Sequence, residues 1–593
     1  MVALIPFAGL QAVWSADEGA LLFQIESLAG GAANSDSDGK DTAADDTISP
    51  DTASPDTASR DGWTFRHPIP AADPTGRSFP IHLSSWAVAS PGTADANCAA
   101  TADGCRYIVL AKHVAFLWVA TGLFSIGGYG LLILISTLAG LATAIATARL
   151  ASLVEPAAEK PALWITGLAS PVLMHSYVAW GHTVAAALIG WATYWLLADR
   201  QPSPSARSKP FSYRSTGPGL GLFLLFLACL VRTEAPLAGL AIGLALLPRR
   251  RRIASAAIAT SVVGVVVDRL IATPTGGPVE PAASETELGV LGFLAGRIEA
   301  FTITWLQPAY GSHPIDMLIL AAAACVVTAG VLARRGPSAN QSAQLLLVAA
   351  LAAVLARFAV APAALVPGLF AAFPVLFAGL LLVDRATLTE ERIGELLAGF
   401  ALFCGAVLAT QYRQGGGGEW GGRYFAVGLP LGISVAVVAL TRAASQFERA
   451  DRRRTGGLLA ATMVVMSTMG VVGLRTVRNE TEQLAADIGA AVEQIDADDR
   501  PVVLSSIPGL GRWMWDDLDQ GRWLRVPQDD LPTTARRLRE LGVDQLAFVS
   551  QRPNEELELL KPWFSVDLGH GGSDPEASFD SDTSVFVLQP SPD

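Results

Sequence analysis

Residues 229–252 read CLVRTEAPLAGLAIGLALLPRRRR, and this stretch decides what kind of chain it is. An apolar run is interrupted once, by Arg232 and Glu234, and resumes until four consecutive arginines end it. A bilayer core of about 30 Å takes roughly 20 apolar residues per helix. Backbone facing lipid must satisfy its own hydrogen bonds, so runs of this kind form helices. Arginines gather in cytoplasmic loops. Arg249, Arg250, Arg251 and Arg252 therefore mark a cytoplasmic end, and the charged break at Arg232–Glu234 falls at the opposite face.

The pattern repeats outward in both directions. Beside the runs at 219–231 and 235–248, spans are predicted near residues 126–151, 161–179, 182–198, 253–270, 315–333, 344–360, 363–383, 394–412, 425–441 and 456–475. Residues 1–14 are too short to span and lack the basic flank of a signal peptide. They read as the outer end of a first helix, which brings the expected total to about thirteen. Arg200, Arg207, Lys209 and Arg214 mark a second cytoplasmic loop, Arg334 and Arg335 a third, and Arg442, Arg449, Arg452, Arg453 and Arg454 a fourth. All four lie on one side only if YIVLAKHVAFLWVATGLF (107–124), which Lys112 and His113 interrupt, lies at the interface instead of crossing. The loops at 15–125, 271–314 and 413–424 and the tail after 476 are then outside.

Composition agrees with a multi-pass protein of the cell membrane. The 593 residues are 51% apolar and 16% charged, with mean hydropathy +0.39. The net charge of -12 comes largely from a Ser/Thr/Ala-rich acidic stretch at 34–61 and from the C-terminal tail, which argues against a nucleic-acid partner. The repeats DTAADDTISPDTASPDTAS (41–59) cannot bury a core and are expected to be disordered. Cys229, Cys325 and Cys404 fall in apolar runs as small core residues. Cys98 and Cys105 sit in a polar external segment, where a disulfide is expected to be permitted.

Two domains are expected, a helical membrane domain over 1–475 and a small extracytoplasmic α/β domain over 476–593. In the latter, PVVLSS (501–506), QLAFVS (545–550) and TSVFVLQ (583–589) read as strands, and DLPTTARRLRELG (530–542) as an amphipathic helix closed by Gly542. Trp513, Trp515 and Trp523 are read as packing residues that could also touch an acceptor.

The residues able to do chemistry collect on the external side. Asp17 and Glu18, in SADEGALLFQIESLAGG (15–31), stand where the first helix would leave the membrane. A carboxylate there can act as a general base or hold a divalent cation, or it can cap an interfacial helix. Arg423 and Tyr424 follow a glycine-rich loop, with Glu419 upstream. An arginine fork suits phosphate, but Arg and Tyr at a membrane boundary also serve as anchors. Arg232 and Glu234 are either a structural ion pair or a substrate contact. His182 beside Trp180, and Lys112 with His113, can reach a lipid phosphate or be structural. His67, His82 and His313 show no ligand spacing for zinc.

These residues carry a resemblance. An acidic pair after the first helix, followed by a long external loop, resembles the GT-C membrane glycosyltransferases, which include the protein O-mannosyltransferases and the lipid A aminoarabinose transferases. SPVLMHSYVAWGHTVAAALIGWATYWLL (170–197) is similar in character to that module's third and fourth helices. CLVRTEAPLAGLAIGLALLPRRRR is similar to its helix pair broken by a charged external turn. EWGGRYFAVGLPLG (419–432) resembles the WGxRY segment of many bacterial, especially actinobacterial, members. The likeness covers most of 1–475, and the shortened N-terminus departs from it.

The resemblance implies transfer of a sugar, hexosyl or pentosyl, from a polyprenyl-phosphate carrier to an acceptor outside the membrane, with inversion. It implies Asp17 as base, Glu18 as its partner, a divalent metal as an option at Asp17, and Arg423 and Lys112 on the carrier phosphate. A transporter or lipid flippase is the alternative. Against it, no inverted repeat and no matched pair of broken helices stands out. A non-catalytic envelope scaffold is the third option.

Overall fold

The computed structural model describes residues 113–198, 217–272, 289–308, 314–335, 339–360, 368–411, 421–495, 500–507, 510–516, 518, 521–566 and 583–591. It also describes 18, 19, 21, 22, 24, 25, 64–66, 69, 71, 72, 87–89 and 106–109. Asp17, Lys112, Glu419, Cys98 and Cys105 lie outside these, as do the acidic stretch at 34–61 and His67, His82 and His313.

The helical domain begins with a small antiparallel sheet, β1 (Thr64–Arg66), β2 (Ala87–Ala89) and β3 (Arg106–Val109), with β3 in the middle. This corrects the expectation of helix from residue 107. Tyr107, Ile108 and Val109 favour a strand, and an apolar run this short carries no periodicity to decide between the two. Helix α1 (Val114–Ser152) starts just after His113 and breaks at Gly127–Gly128, where Gly128 takes φ 59°. The expected interfacial piece and the expected span are therefore successive parts of one interrupted helix.

Next come α2 (Glu159–Ala169), α3 (Pro171–His175), α4 (Gly181–Ala198), α5 (Gly217–Cys229), α6 (Glu234–Leu246) and α7 (Arg251–Ala272). The expected span 161–179 divides because Pro171 ends one helix and starts another. The Ser170 hydroxyl accepts from the Val172 N–H at 3.2 Å to cap the second. Helix α4 packs between α1 and α5, and α6 packs along α7. One of the four arginines is buried. Arg250 donates to the carbonyl of Leu196 at 3.0 Å and faces Glu395 at 3.3 Å, tying three helix ends together.

Helix α8 (Gly289–Phe301) and the π-turn Thr302–Leu306 lie within the segment expected to be an external loop. Together they form one of the candidate membrane spans. Arg297 and Glu299 interrupt the apolar pattern and hid it; Arg297 is accommodated by donating to the carbonyls of Leu408 and Gln411. There follow α9 (Met317–Ala333), α10 (Asn340–Val360), α11 (Leu369–Ala372), α12 (Pro374–Leu381), α13 (Arg385–Thr389), α14 (Glu391–Thr410) and α15 (Leu429–Ser445). A 3-10 turn, Arg423–Gly428, leads into α15. The expected span 363–383 is represented by α11 and α12, two short helices separated at Phe373.

Helix α16 (Arg449–Glu493) has 45 residues. At 1.5 Å per residue it is about 68 Å long, more than twice a bilayer core of about 30 Å. It runs unbroken through residues 475 and 476. Among the described residues, 8 helices are long and apolar enough to cross a membrane, and α5 and α6 are shorter apolar helices. The chain is an α-helical multi-pass membrane protein with a small α/β region at its C-terminal end.

That region has β4 (Val502–Ser505), α17 (Leu510–Trp513), β5 (Arg522–Arg525), α18 (Leu531–Glu540), β6 (Leu546–Ser550), α19 (Pro553–Leu560), β7 (Phe564–Val566) and β8 (Ser584–Pro590). Strand order is β5-β4-β6-β8-β7; β4 is parallel to β5 and β6, and β8 antiparallel to β6 and β7. Strand alternation sorts the two faces. Val502, Leu504, Leu546 and Phe548 pack on Leu531, Ala535 and Leu538 of α18. Val503, Ala547 and Val549 pack on Leu484, Ile488 and Ala491 of α16. The expected strands and helix are all present, and Gly542 takes φ 78° as the helix ends. Asp530 stands at the N-cap without a side-chain bond, because Gln528–Asp530 forms a 3-10 turn first.

Candidate functional site

Two buried clusters of charge flank the turn Ser176–His182, which joins α3 to α4. The first is centred on Glu18, one of the helical residues 18, 19, 21, 22, 24 and 25. Its Oε1 accepts from the Tyr129 hydroxyl at 2.8 Å and from the Ala179 N–H at 2.7 Å. Arg478 of α16 lies 3.7 Å from the same oxygen. The Arg478 Nη2 also donates to the Tyr129 hydroxyl at 2.8 Å and to the Tyr177 carbonyl at 2.7 Å. Glu18 is 0% exposed and Arg478 1%. Burying either charge alone would cost several kcal/mol, about 3–5 by the cost of breaking such pairs. Together, with neutral donors added, they form a closed network.

The second cluster gathers residues from six parts of the fold. Arg232 and Glu234 form a two-pronged pair at 3.0 and 2.8 Å across the α5–α6 turn. His113, at the start of α1, accepts the Thr233 N–H on Nε2 at 3.1 Å, which fixes that turn from the side. Its Nδ1 faces Asp268 of α7 at 3.9 Å. With Nε2 accepting, the ring proton of neutral His113 sits on Nδ1, towards Asp268. His182 begins α4, with its ring 5.0 Å from Trp180 and 5.6 Å from His175. The guanidinium of Arg423 lies 5.4 Å over Trp180 and 4.9 Å over Tyr424, and Arg423 donates to the Tyr424 hydroxyl at 3.1 Å. The charges of Arg232 and Arg423 both bear on His182, and that of Arg423 bears on Arg232.

Glycines permit this convergence. Gly421 and Gly422 take φ 67° and 60°, conformations open to glycine. A Cβ on Gly421 would meet Pro171 at 2.3 Å, and one on Gly422 the Thr304 carbonyl at 2.7 Å. The strand of backbone before Arg423 is thus pressed between α3 and the π-turn, and Trp305 of that turn packs edge-on to Phe425 at 5.2 Å. Gly181 lets α4 approach the Arg232 turn, where a Cβ would lie 3.0 Å from Val231.

The chemical character of the second cluster follows from one atom pair. His182 is 1% exposed, and both its ring nitrogens are buried with no hydrogen-bond partner among the described residues. Buried polar atoms are ordinarily satisfied, so such a side chain points to a missing ligand. Two guanidiniums, the imidazoles of His175 and His182 and the Tyr424 hydroxyl offer donors to an anion, and Trp180 gives it an aromatic wall.

Of the residues expected from the sequence, His113, His182, Arg232, Glu234, Arg423 and Tyr424 come together in the second cluster, while Glu18 stands in the first. His175, Trp180 and Asp268 complete the second; Tyr129, Tyr177 and Arg478 complete the first. His175 lies seven residues before His182 and could have been found from that pairing. Arg478 had no local signal. Among the described residues no group of three His, Cys, Asp or Glu could hold a metal, and the metal considered at Asp17 lies outside them.

No family model matches the chain, and no curated protein matches it. Among solved structures, ArnT from Cupriavidus metallidurans in the apo state is similar at TM-score 0.40 and 13% identity, over 79% of this chain and 86% of that chain. The same protein bound to undecaprenyl phosphate is similar at TM-score 0.38 and 16% identity, over 80% and 87%. A likeness this low transfers no residue roles.

Proposed function

We propose that this protein is a GT-C-type membrane glycosyltransferase that moves a sugar from a polyprenyl-phosphate carrier to an extracytoplasmic acceptor. The single observation that carries this is His182, buried beside Trp180 near two arginines, with neither nitrogen bonded among the described residues. A lipid phosphate is the anion that a pocket between membrane helices meets, and the sequence resemblance names the same carrier.

In this mechanism the leaving group is the carrier phosphate. Arg423 and Arg232 stabilise the charge that develops on it, in a site where water is largely excluded. Glu234 holds the Arg232 fork, and His113 holds the turn that presents it. His182 donates to a phosphate oxygen, and Lys112 joins from the residue before His113. Asp17 takes the proton of the acceptor hydroxyl as the sugar is transferred with inversion. Glu18, engaged by Tyr129, Ala179 and Arg478, orients the acidic pair and leaves the proton transfer to Asp17. In this reading Glu419 pairs with Arg423 or orients the acceptor, and the α/β domain is extracytoplasmic.

The test is an assay of purified protein with a panel of labelled polyprenyl-phosphate sugars, reporting sugar transfer and lipid-phosphate release. Transfer from one or more donors supports the proposal. Absence of both binding and transfer across hexosyl and pentosyl donors overturns it.

A further inference from the structure

The Arg478–Glu18 network holds the Ser176–His182 turn from the opposite side to the anion pocket. Arg478 takes the Tyr177 carbonyl, and Glu18 takes the Ala179 N–H. The next residue, Trp180, and then His182 face Arg423 and each other. The turn is also held at its start from α1, where the Thr137 hydroxyl donates to the Ser176 carbonyl at 2.8 Å. Its remaining local backbone bonds are short-range, such as the Trp180 N–H to the Val178 carbonyl at 2.7 Å. Side chains at this pocket are therefore aimed by groups that never touch its occupant.

Arg478 comes from far away in sequence and in the fold. It lies on α16, and two turns later Leu484, Ile488 and Ala491 of the same helix pack on the C-terminal sheet. Trp513 and Trp515, in and just after α17, pack both on that core and on the cluster of Leu22, Ile25, Phe116 and Leu117. Leu22 is one helical turn from Glu18. The C-terminal domain thus reaches Glu18 along two routes, the rigid helix α16 and the tryptophan contact.

We propose that Arg478 is a positioning residue for the anion pocket, by which the C-terminal α/β domain sets the Tyr177–His182 turn and so aims Trp180 and His182. The inference rests on the pocket taking a lipid phosphate, as proposed above. One nitrogen of Arg478, Nη2, meets the Tyr129 hydroxyl, the Tyr177 carbonyl and Glu18 together, held in place by the planar guanidinium. A lysine keeps the charge on a flexible stem without that planar frame, so it fixes the same set less firmly.

The experiment compares the full-length wild type with Arg478→Lys and Tyr129→Phe. Three quantities are measured: undecaprenyl-phosphate affinity, thermal unfolding, and hydrogen exchange of the peptide covering 176–184. Arg478→Lys keeps the charge that Glu18 needs. The expected result is a melting temperature near wild type, faster exchange confined to the 176–184 peptide, and phosphate affinity lowered roughly ten-fold, the scale on which outer-shell partners act elsewhere. Tyr129→Phe removes no charge and should shift exchange and affinity the same way by less, which keeps the test alive if Arg478→Lys does not accumulate. Wild-type affinity and wild-type exchange in both variants would overturn the positioning role. A general rise in exchange with a lowered melting temperature and unchanged affinity would also overturn it, as a purely structural pair. If the wild type itself does not bind the lipid phosphate, the functional proposal fails, and this role with it.

Discussion

The two charge clusters stand back to back across one seven-residue turn, and they are built on opposite principles. Around Glu18 opposite charges meet through polar groups: carboxylate, guanidinium, phenol, carbonyl and amide bond to one another. Around His182 the donors converge, and the imidazole between them has no hydrogen-bond partner among the described residues. A buried network of opposite charges bonded to one another has its energy minimum in the free protein and resists change. A cluster whose central imidazole has no hydrogen-bond partner among the described residues gains bonds when an anion arrives. The same chemical inventory, acids and bases buried between helices, therefore gives a brace on one side and a receptor on the other.

The comparison can be broken by substitutions that ought to act oppositely on stability and function. The largest expected effect is on turnover. Asp17→Asn should lower transfer by about 10²–10⁴-fold with unchanged donor affinity, as loss of a general base does; single-turnover kinetics check it, and wild-type turnover would remove Asp17 as the base. Next is stability on the closed side. Arg478→Met leaves Glu18 buried without its cation and should destabilise by about 3–5 kcal/mol, read by thermal unfolding in detergent. If it melts like the wild type, the network is not a brace.

On the open side the balance should invert. Arg423→Ala should lower transfer efficiency roughly ten- to a hundred-fold, since a hydrogen bond to a charged group contributes about 1.5–3 kcal/mol. Arg423→Lys should not restore it, because the fork is lost. An anchoring role predicts lower yield with normal activity per folded molecule, and donor affinity measured beside melting temperature separates the two. The smallest effect is also the sharpest. His182→Phe removes two buried polar atoms that lack partners among the described residues, and relief of that desolvation is about 1–3 kcal/mol. The variant should melt at or above the wild-type temperature while binding undecaprenyl phosphate more weakly. A drop in stability would show that His182 is satisfied in the free protein and would close the receptor side of the comparison.

Much of this architecture was legible along the chain. Long apolar runs ended by arginine clusters specify membrane helices, and the alternating strands and capped helix of the tail specify an α/β region. The misses share a cause. Tyr107–Val109 was read as the start of a helix because so short an apolar piece has no period. Helix α8 was read as loop because Arg297 and Glu299 interrupt it, and only the fold shows Arg297 spending its donors on the end of α14. The site was half legible. His182, Arg232, Glu234, Arg423 and Tyr424 stood out as polar residues at membrane ends, where ionisable groups are costly. Arg478 was invisible, since a charge following a span looks like any other boundary arginine.

The sequence by itself determined the class of molecule, the order of its helices and the kind of residues that could meet an anion, because hydropathy, charge and capping are local properties. Only the tertiary structure decided which of those residues meet. A helix buried in lipid and protein is apolar all round, so its pattern does not mark the face that turns inward. Contacts such as Glu18 to Arg478, or Trp180 to Arg423, join residues hundreds of positions apart. They are set by packing at glycines and prolines, Gly421 against Pro171 and Gly181 against Val231, where the lack or presence of a side chain decides how closely two backbones approach.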